Sequence, residues 1–176
     1  MGGSAVASMA MGEGKPQKVK NTTAFITYAS LTVGVGAAVL LLACMSLILK
    51  IFGANGETYE YAKGYVQYIA WGAPFIIWSA AASFVVRAEG ASKEAMIGSM
   101  VGTIANIVLD PLFITGLHMG AAGAAIATTI GNILASLYFV WYFLKKSRQL
   151  SILPKDFTLR EQISGRVCAI GLPTAI

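Results

Sequence analysis

Apolar residues in this chain come in long runs that charged residues seldom interrupt. No Asp, Glu, Lys or Arg occurs in residues 21–49, 64–86 or 111–144, and a fourth run, residues 95–114, contains only Asp110. Each run can form a helix of about 20 residues, the length that crosses a hydrocarbon core about 30 Å thick. Because lipid offers no water to the backbone, the pattern predicts helices and not the alternating segments of a membrane barrel.

The predicted fold class is therefore all-α, a polytopic membrane helical bundle with four full transmembrane helices and a partial helix at each end. Glycine and other turn-forming residues separate the first two spans at 53–56 and the last two at 115–119. The spans themselves are expected at about 22–52, 65–86, 95–114 and 120–144. The apolar stretch 1–11 is too short to cross a bilayer, which predicts the tail of a helix whose beginning is missing.

This pattern also predicts a division of the chain into four parts. The expected parts are residues 1–22, the end of a truncated helix and a basic loop; 23–144, the four-helix transmembrane part; 145–166, a polar linker; and 167–176, the start of another helix.

The basic residues indicate topology and not a nucleic-acid partner, because they lie between the spans and not on one face. The net charge is +5, with 13 Lys and Arg residues. Of the five segments outside the spans, the first, third and fifth hold eleven of these residues and the other two hold only Lys50 and Lys63. The positive-inside rule then predicts a multi-pass protein of the inner (plasma) membrane, with both ends of the chain facing the cytoplasm.

Asp110 is the most informative single residue. A charge at the centre of a spanning helix costs about 2.5–3.5 kcal/mol, so an intramembrane carboxylate usually has a function. If the helix begins at Glu94, a rise of about 1.5 Å per residue places Asp110 about 24 Å from the inner boundary, in the outer half of the hydrocarbon. The alternative is a carboxylate that reaches the outer headgroups.

Small and polar residues recur every four positions around Asp110 and in the following span. The first series is Gly98, Gly102, Asn106 and Asp110, and the second is Gly120, Ala124, Thr128, Asn132 and Ser136. Such series let antiparallel helices approach closely. Asn106 and Thr128 are then each about 12 Å from the outer surface. Asp110, Asn106 and Thr128 are therefore predicted to share a pocket of hard oxygen ligands for Na⁺ or H⁺.

Two further features bear on this site. Pro111 lacks an N–H, so the carbonyl of Ile107 loses its helical partner and can face an ion or water. Burial favours the neutral form of a carboxyl group and a nearby cation favours its charged form, so one site can exchange H⁺ or Na⁺ between two conformations.

The remaining residues give no chemistry of catalysis. Cys44 and Cys168 are expected to pack as small apolar residues, and His118 to be a solvated loop histidine. Trp71, Trp78 and Trp141 are expected to face lipid or the interface, and the alternative is that they line a drug-binding cavity with nearby Phe and Met. No catalytic set or cofactor motif is visible in the sequence, so we expect a protein that is not an enzyme and uses no cofactor beyond the coupling ion.

Three stretches of the sequence resemble one known family. They are Arg87-Ala-Glu-Gly90, Ala105-Asn-Ile-Val-Leu-Asp-Pro-Leu-Phe113 and Met119-Gly-Ala-Ala-Gly-Ala-Ala-Ile-Ala-Thr128. Together they resemble the multidrug and toxic compound extrusion (MATE) transporters. The resemblance covers nearly the whole chain, from the end of that family's second helix to the start of its seventh.

The resemblance implies a fold, an activity and partners. The family has twelve helices in two six-helix lobes and exports organic cations or drugs in exchange for H⁺ or Na⁺ by alternating access. The matching cation-site residues are Asn106, Asp110 and Thr128, and Ser79 or Ser83 corresponds to a polar residue on the fourth helix. The family's first-helix Asp is not in this sequence. The implied partners are the bilayer, small organic substrates, and the first helix and second lobe, without which residues 1–176 are not expected to transport.

The sequence leaves two other interpretations of the function open. One is a lipid-linked oligosaccharide flippase of related architecture, and the other is a non-transporting membrane assembly subunit held together by its small-residue stripes. Efflux of a fluorescent cation, flipping of a lipid-linked sugar, or neither activity separates the three.

Overall fold

In the computed structural model, residues 2–13, 16–51, 57–147 and 150 are described, and almost all of them are helical. A π-helical turn, Leu112–Gly116, continues the fifth helix. The all-α prediction is confirmed. Of the predicted linker 145–166, residues 148–166 lie outside the described residues, apart from Leu150. The predicted helix start 167–176, with Cys168, lies outside them too. The helices are α1 (Gly2–Gly12), α2 (Pro16–Ala43), α3 (Met45–Ile51), α4 (Glu57–Ala88), α5 (Ser92–Pro111) and α6 (Gly120–Lys145).

Four helical stretches are long and apolar enough to cross a membrane, as predicted. They are Val19–Ala43, Tyr59–Ala88, Ser92–Gly116 and Gly120–Lys145. Large apolar side chains cover their outer surfaces: 65% of Leu40 and 64% of Ile107 are exposed. In water such a surface would be costly, at roughly 25 cal/mol per Å² of apolar area. Lipid is the environment that removes this cost.

The first span differs from the prediction of one uninterrupted helix over 22–52. The helix bends at Cys44, between α2 and α3, although the amide of Cys44 still bonds the carbonyl of Leu40 at 2.9 Å. No glycine or proline stands at the bend, so the sequence carries none of the usual signals for it. Cys44 is exposed, and its predicted role as a packing residue is wrong. The outer surface of this bundle is itself apolar, so a cysteine is as compatible with the surface as with the core.

The helices pack in a row with α1 attached at one side. α4 lies between α2 and α6, α6 lies between α4 and α5, and α1 packs on α2 and α4. Among the described residues, a buried apolar cluster lies near the turn between α4 and α5. It includes Val19, Trp78, Val86, Ala95, Phe139, Tyr142 and Phe143.

The tryptophans divide between the two environments. Trp71 is 67% exposed and Trp141 is 46% exposed, as predicted for lipid-facing side chains. Trp78 is only 8% exposed and its ring lies 6.4 Å from that of Phe143, edge to face. The prediction is wrong for Trp78, because its position on α4 faces α6 and not the lipid.

α5 and α6 are close neighbours, and glycines make the contact. A Cβ on Gly102 would lie 2.9 Å from the carbonyl oxygen of Gly131, and a Cβ on Gly131 would lie 2.7 Å from that of Gly102. The closest approach on α6 therefore involves Gly131 and not the predicted stripe through Thr128 and Asn132. The small stripe is displaced by one position and consists of Gly123, Ala127, Gly131 and Ala135, all buried.

Two acidic residues beside the α4–α5 turn tie it to the end of α6. Glu89 accepts hydrogen bonds from the hydroxyls of Tyr142 and Ser147, each at 2.7 Å. Glu94 accepts hydrogen bonds from Tyr138 and Lys146. Gly90 lies between the two helices with φ +86°, a backbone conformation that favours glycine. Arg87 lies in the last turn of α4, next to these residues. We call this end of the bundle the Arg87 end.

Candidate functional site

The structure brings Asn106 of α5 and Thr128 of α6 together. The amide nitrogen of Asn106 donates a hydrogen bond of 3.0 Å to the hydroxyl oxygen of Thr128. The contact is possible because Gly102 and Gly131, one turn nearer the Arg87 end on each helix, let the two backbones approach. The side chains of Asn106 and Thr128 thus meet at the interface of α5 and α6.

Asp110 lies one turn beyond Asn106 on α5, next to Pro111. One of its carboxylate oxygens, Oδ1, has less than 1 Å² of accessible surface, although the residue as a whole is partly exposed. The carboxylate therefore points at least one oxygen into the protein. Four residues at about 1.5 Å each separate Asp110 from Asn106 by about 6 Å along the helix axis.

Beyond Asp110 the helix changes its hydrogen-bond pattern. Leu112–Gly116 forms a π-helical turn, in which the amide of Leu117 bonds the carbonyl of Leu112 at 3.0 Å. Such turns occur frequently at functional sites. Pro111 at the start of the turn supplies no N–H, which explains why the regular α-helical ladder ends beside Asp110. His118 in the following turn is exposed, with φ +53°.

A cavity of about 500 Å³ runs along the face that α4, α5 and α6 share, and we call it the polar groove. Asn106 and Thr128 are part of its lining, and Asp110 is not. Among the described residues that line it, Arg87 is the only ionisable one. The described lining residues are Ile76, Ser79, Ala80, Ser83, Phe84, Arg87, Ser99, Gly102, Thr103, Asn106, Thr128, Gly131, Asn132, Ala135 and Phe139.

Side chains of the polar groove connect α4 to the Asn106–Thr128 pair. Ser79 donates a hydrogen bond of 3.0 Å to the amide oxygen of Asn132. Asn132 in turn donates to the backbone carbonyl of Thr128 at 2.9 Å. Sequence reasoning named Ser79 and Ser83 only through a family resemblance and included Asn132 only in a small-residue series. Its spacing of four from Thr128 placed Asn132 on the same helix face, but nothing in the sequence paired it with Ser79, 53 positions earlier.

A second cavity, of about 290 Å³, lies between α2, α4 and α6 and is almost wholly apolar. The described part of its lining contains no Asp, Glu, Lys or Arg. The residues are Thr27, Tyr28, Leu31, Phe75, Trp78, Ile133, Ser136, Leu137 and Val140. It offers aromatic and aliphatic surface but no group that would hold an ion.

The three residues predicted from the sequence share oxygen as their donor atom, the type that hard cations prefer. Among the residues the structure describes, no group of three or more His, Cys, Asp or Glu side chains could hold a metal ion. Asp110, Asn106 and Thr128 offer one carboxylate, one amide oxygen and one hydroxyl oxygen, a set suited to Na⁺ or to H⁺ and unlike that of a transition-metal centre.

The chain is similar to a set of known membrane proteins. The family model MatE matches residues 1–112. The multidrug export protein MepA of Staphylococcus haemolyticus is 33% identical over 173 residues, which are 98% of this chain and 38% of that protein. MepA of Staphylococcus saprophyticus is 30% identical over 173 residues, again 98% of this chain and 38% of that protein.

The chain is also similar to solved structures of MATE transporters. An inward-facing multidrug resistance MATE family transporter of the MOP superfamily superposes with a TM-score of 0.91 at 30% identity, over 99% of this chain and 40% of that one. A MATE structure in complex with MaL6 gives a TM-score of 0.93 at 28% identity, over 99% of this chain and 39% of that one. The chain thus spans about two fifths of the length of these relatives.

Proposed function

The chain belongs to the MatE family of multidrug and toxic compound extrusion transporters, and on that premise we propose that it forms part of the N-lobe of an antiporter. The antiporter exports organic compounds, typically cationic, in exchange for H⁺ or Na⁺. It lies in the plasma membrane with both ends of this chain on the cytoplasmic side. Residues 23–144 are the transmembrane part of the lobe, 145–166 the link between lobes, and 167–176 the start of the second lobe.

The observation that carries this proposal is the 3.0 Å hydrogen bond from Asn106 to Thr128, one turn from Asp110. Because Nδ2 of Asn106 donates, its amide oxygen is the atom of that side chain that can ligate a cation. Thr128 contributes a hydroxyl oxygen and Asp110 a carboxylate. These three side chains come from two helices, so a change in the spacing of α5 and α6 changes the site's affinity for its ion.

Coupling of ion binding to the conformation of the lobe follows from this change in the site's affinity for its ion. An ion shifts a conformational equilibrium only by as much as it prefers one state over the other. An ion bound at Asp110 neutralises a charge within the membrane, where an uncompensated charge is costly. The loaded and empty sites therefore favour different arrangements of the lobe, and the ion gradient drives the change between them.

We propose that transport requires helices beyond this chain. An antiporter of this family moves its substrate through a cavity between two lobes, and the described residues supply most of one. The first helix and the second lobe of the family fold are the partners that the proposal demands. The 176 residues alone are accordingly expected to bind the ion but not to move a substrate.

The test replaces the matching segment of MepA from Staphylococcus haemolyticus with this chain. Efflux of a fluorescent organic cation is measured in proteoliposomes with an imposed H⁺ gradient, a Na⁺ gradient or neither. We expect efflux that depends on one of the two gradients, and loss of that dependence in Asp110→Asn. Thr32→Val is the matched control, since the hydroxyl of Thr32 is exposed on α2 and bonds only within its own helix.

Two results would contradict the proposal. One is a folded chimera whose efflux ignores both gradients, and the other is undiminished gradient dependence in the Asp110→Asn chimera. Retained tryptophan fluorescence and a monodisperse elution profile establish that each chimera is folded.

A further inference from the structure

Leu150 lies in the interior of the protein although it follows the end of α6. The amides of Lys146 and Ser147 both donate to the carbonyl of Tyr142, at 2.9 and 3.0 Å, and the helix ends there. Leu150 is nevertheless only 5% exposed. It belongs to the buried apolar cluster near the α4–α5 turn, which also takes residues from α1, α2, α4, α5 and α6. Leu150 is therefore packed with the helices and not displayed to solvent.

Two consecutive hydrogen bonds connect Leu150 to the α4–α5 turn. The amide of Leu150 donates to the hydroxyl oxygen of Ser147 at 2.9 Å, and that hydroxyl donates to the carboxylate of Glu89 at 2.7 Å. A hydroxyl group has one proton to donate and lone pairs that accept, so Ser147 can serve both partners at once. Bonds to an ionised acceptor are the stronger kind. The chain after α6 is thus held by a turn 58 positions earlier.

Glu89 is itself held in place by α6. Its second carboxylate oxygen accepts a hydrogen bond of 2.7 Å from the hydroxyl of Tyr142, and its amide donates to the carbonyl of Val85 at 3.1 Å. Each carboxylate oxygen of Glu89 therefore receives one hydroxyl, the first from Ser147 and the second from Tyr142. The acceptor that Ser147 meets is already positioned before the chain leaves the helix.

We propose that Glu89, Ser147 and Leu150 form an anchor, which we call the Glu89 anchor, that fixes the first part of the link between lobes to the N-lobe. The second lobe then moves about a point beyond Leu150, and residues 151–166 take up the motion. Glu89 and Ser147 are positioning residues, because they contact neither the candidate ion site nor a substrate. The anchor stands on the contacts alone, whereas its part in the motion of the lobes rests on the proposed function.

The physical effect of the anchor is on the length of the link. A link that was loose from Lys146 onward would gain about five residues of free chain, and each extended residue adds about 3.3–3.6 Å of reach. A shorter link lets a movement of α6 constrain the second lobe more closely. Release of the anchor therefore lengthens the link on the order of 15 Å without changing any residue of the candidate ion site.

Thiol labelling of the full 176-residue chain in lipid nanodiscs tests the anchor. In a Cys44→Ser, Cys168→Ser background, a single cysteine replaces either Leu150 or Lys145, whose side chain is exposed in the last turn of α6. The probe is a polar maleimide. We expect Leu150→Cys to react at least about tenfold more slowly than Lys145→Cys, because a buried thiol meets the reagent only when the structure opens locally.

Ser147→Ala breaks the connection between Leu150 and Glu89. It should raise the labelling rate of Leu150→Cys about fivefold or more, the effect of one lost hydrogen bond to a charged group. Ser147→Thr keeps the hydroxyl and should preserve the slow rate. The matched control is Ser30→Ala, since the hydroxyl of Ser30 donates to a carbonyl of its own helix, α2. Equal rates at positions 150 and 145, or an unchanged rate in Ser147→Ala, would overturn the anchor.

Hydrogen exchange gives the same comparison without a cysteine at position 150. The amide proton of Leu150, followed by NMR in the chain with its native leucine, should exchange slowly because it is bonded to Ser147. Ser147→Ala should accelerate that exchange and Ser147→Thr should not. Fast exchange in the unmodified chain would contradict the anchor independently of the labelling.

The point about which the second lobe moves has its own measurement in the MepA chimera. Gly-Ser-Gly is inserted either between Gln149 and Leu150 or between Ser151 and Ile152. Both insertions lengthen the link equally, but only the first separates Leu150 from Ser147. We expect the first to lower the turnover of gradient-driven efflux about threefold or more with KM unchanged, because a conformational step and not substrate binding is affected.

The second insertion should leave turnover within about twofold of the unmodified chimera, since added length in a flexible link has only a small effect on how its ends meet. Equal turnover of the two insertion variants would show that the motion does not begin beyond Leu150.

The outcomes also separate this inference from the proposed function. Slow labelling of Leu150→Cys that Ser147→Ala accelerates, together with a chimera whose efflux ignores both gradients, would leave the anchor standing and remove the antiport proposal. Equal labelling at positions 150 and 145, together with a chimera that needs Asp110, would do the reverse.

Discussion

Gly131 of α6 lies so close to Gly102 of α5 that a Cβ on Gly131 would stand 2.7 Å from the carbonyl oxygen of its neighbour. The obstacle is backbone, which cannot rotate away as the end of a side chain can. The contact lies one turn from the Asn106–Thr128 hydrogen bond on both helices. The spacing of α5 and α6 that this glycine pair permits is therefore a condition for the candidate site.

Gly131→Ala should destabilise the folded chain by about 1–3 kcal/mol, because the added methyl group forces the two helices apart. The measurement is reversible unfolding in mixed micelles with increasing dodecyl sulfate. Gly36→Ala is the control, since nothing lies within 4 Å of a Cβ there. That variant should gain about 0.5–1 kcal/mol from helix propensity. Equal stability of Gly131→Ala and the unmodified chain would contradict the close contact.

Tyr142→Phe should cost about 1–3 kcal/mol, because it removes the hydroxyl that donates to Glu89 at 2.7 Å. In a double-mutant cycle with Glu89→Gln, the two changes should couple, whereas Tyr61→Phe and Glu89→Gln should add independently. Tyr61 is 62% exposed and serves as the control. Additivity of Tyr142→Phe with Glu89→Gln would mean that this hydrogen bond contributes nothing.

Thr128→Val should weaken ion-driven efflux by the MepA chimera about tenfold or more, because it removes one oxygen ligand and the partner of Asn106. The loss of a hydrogen bond to a charged group is worth about 1.5–3 kcal/mol. Thr128→Ser keeps the hydroxyl and should keep most of the activity. The check is the initial rate of efflux under the driving gradient. Equal rates for the valine and serine variants would exclude Thr128 as a ligand.

Lipids with brominated chains should quench Trp71 and Trp141 and leave Trp78 nearly unquenched. The first two are 67% and 46% exposed on the outer surface, and the third is 8% exposed within the core. Single-tryptophan variants, with phenylalanine at the other two positions, make the measurement in vesicles. Strong quenching of Trp78 would show that α2, α4 and α6 do not pack as described.

Much of this fold follows from the spacing of charges. Four runs without interruption by Lys or Glu predict four spans, because each charge in lipid is costly. The short turn at 115–119 requires α5 and α6 to be antiparallel neighbours, and counting residues from that turn places Asn106 and Thr128 at one depth. Their contact at 3.0 Å is the part of the candidate site that could be predicted from residue positions alone.

Other features depend on how each helix is rotated about its own axis. Counting residues along the chain does not give that rotation. The small-residue contact of α6 passes through Gly131 and not through Thr128, since a shift of one position turns a helix by about 100°. The bend at Cys44 has no glycine or proline to mark it. The bonds of Tyr138 and Tyr142 to glutamates 44 and 53 positions earlier are set by tertiary packing.

The π-helical turn Leu112–Gly116 holds one residue more per turn than a regular helix would use. The turn therefore contains one residue more than an α-helical turn needs. Loss of one residue within it could be absorbed by conversion to an ordinary α-helical turn. Loss of one residue before Asn106 would instead rotate part of α5 by about 100° and carry Asn106 away from Thr128. We therefore expect insertions and deletions among proteins of this architecture to occur after Pro111 and not in the turns of α5 before it.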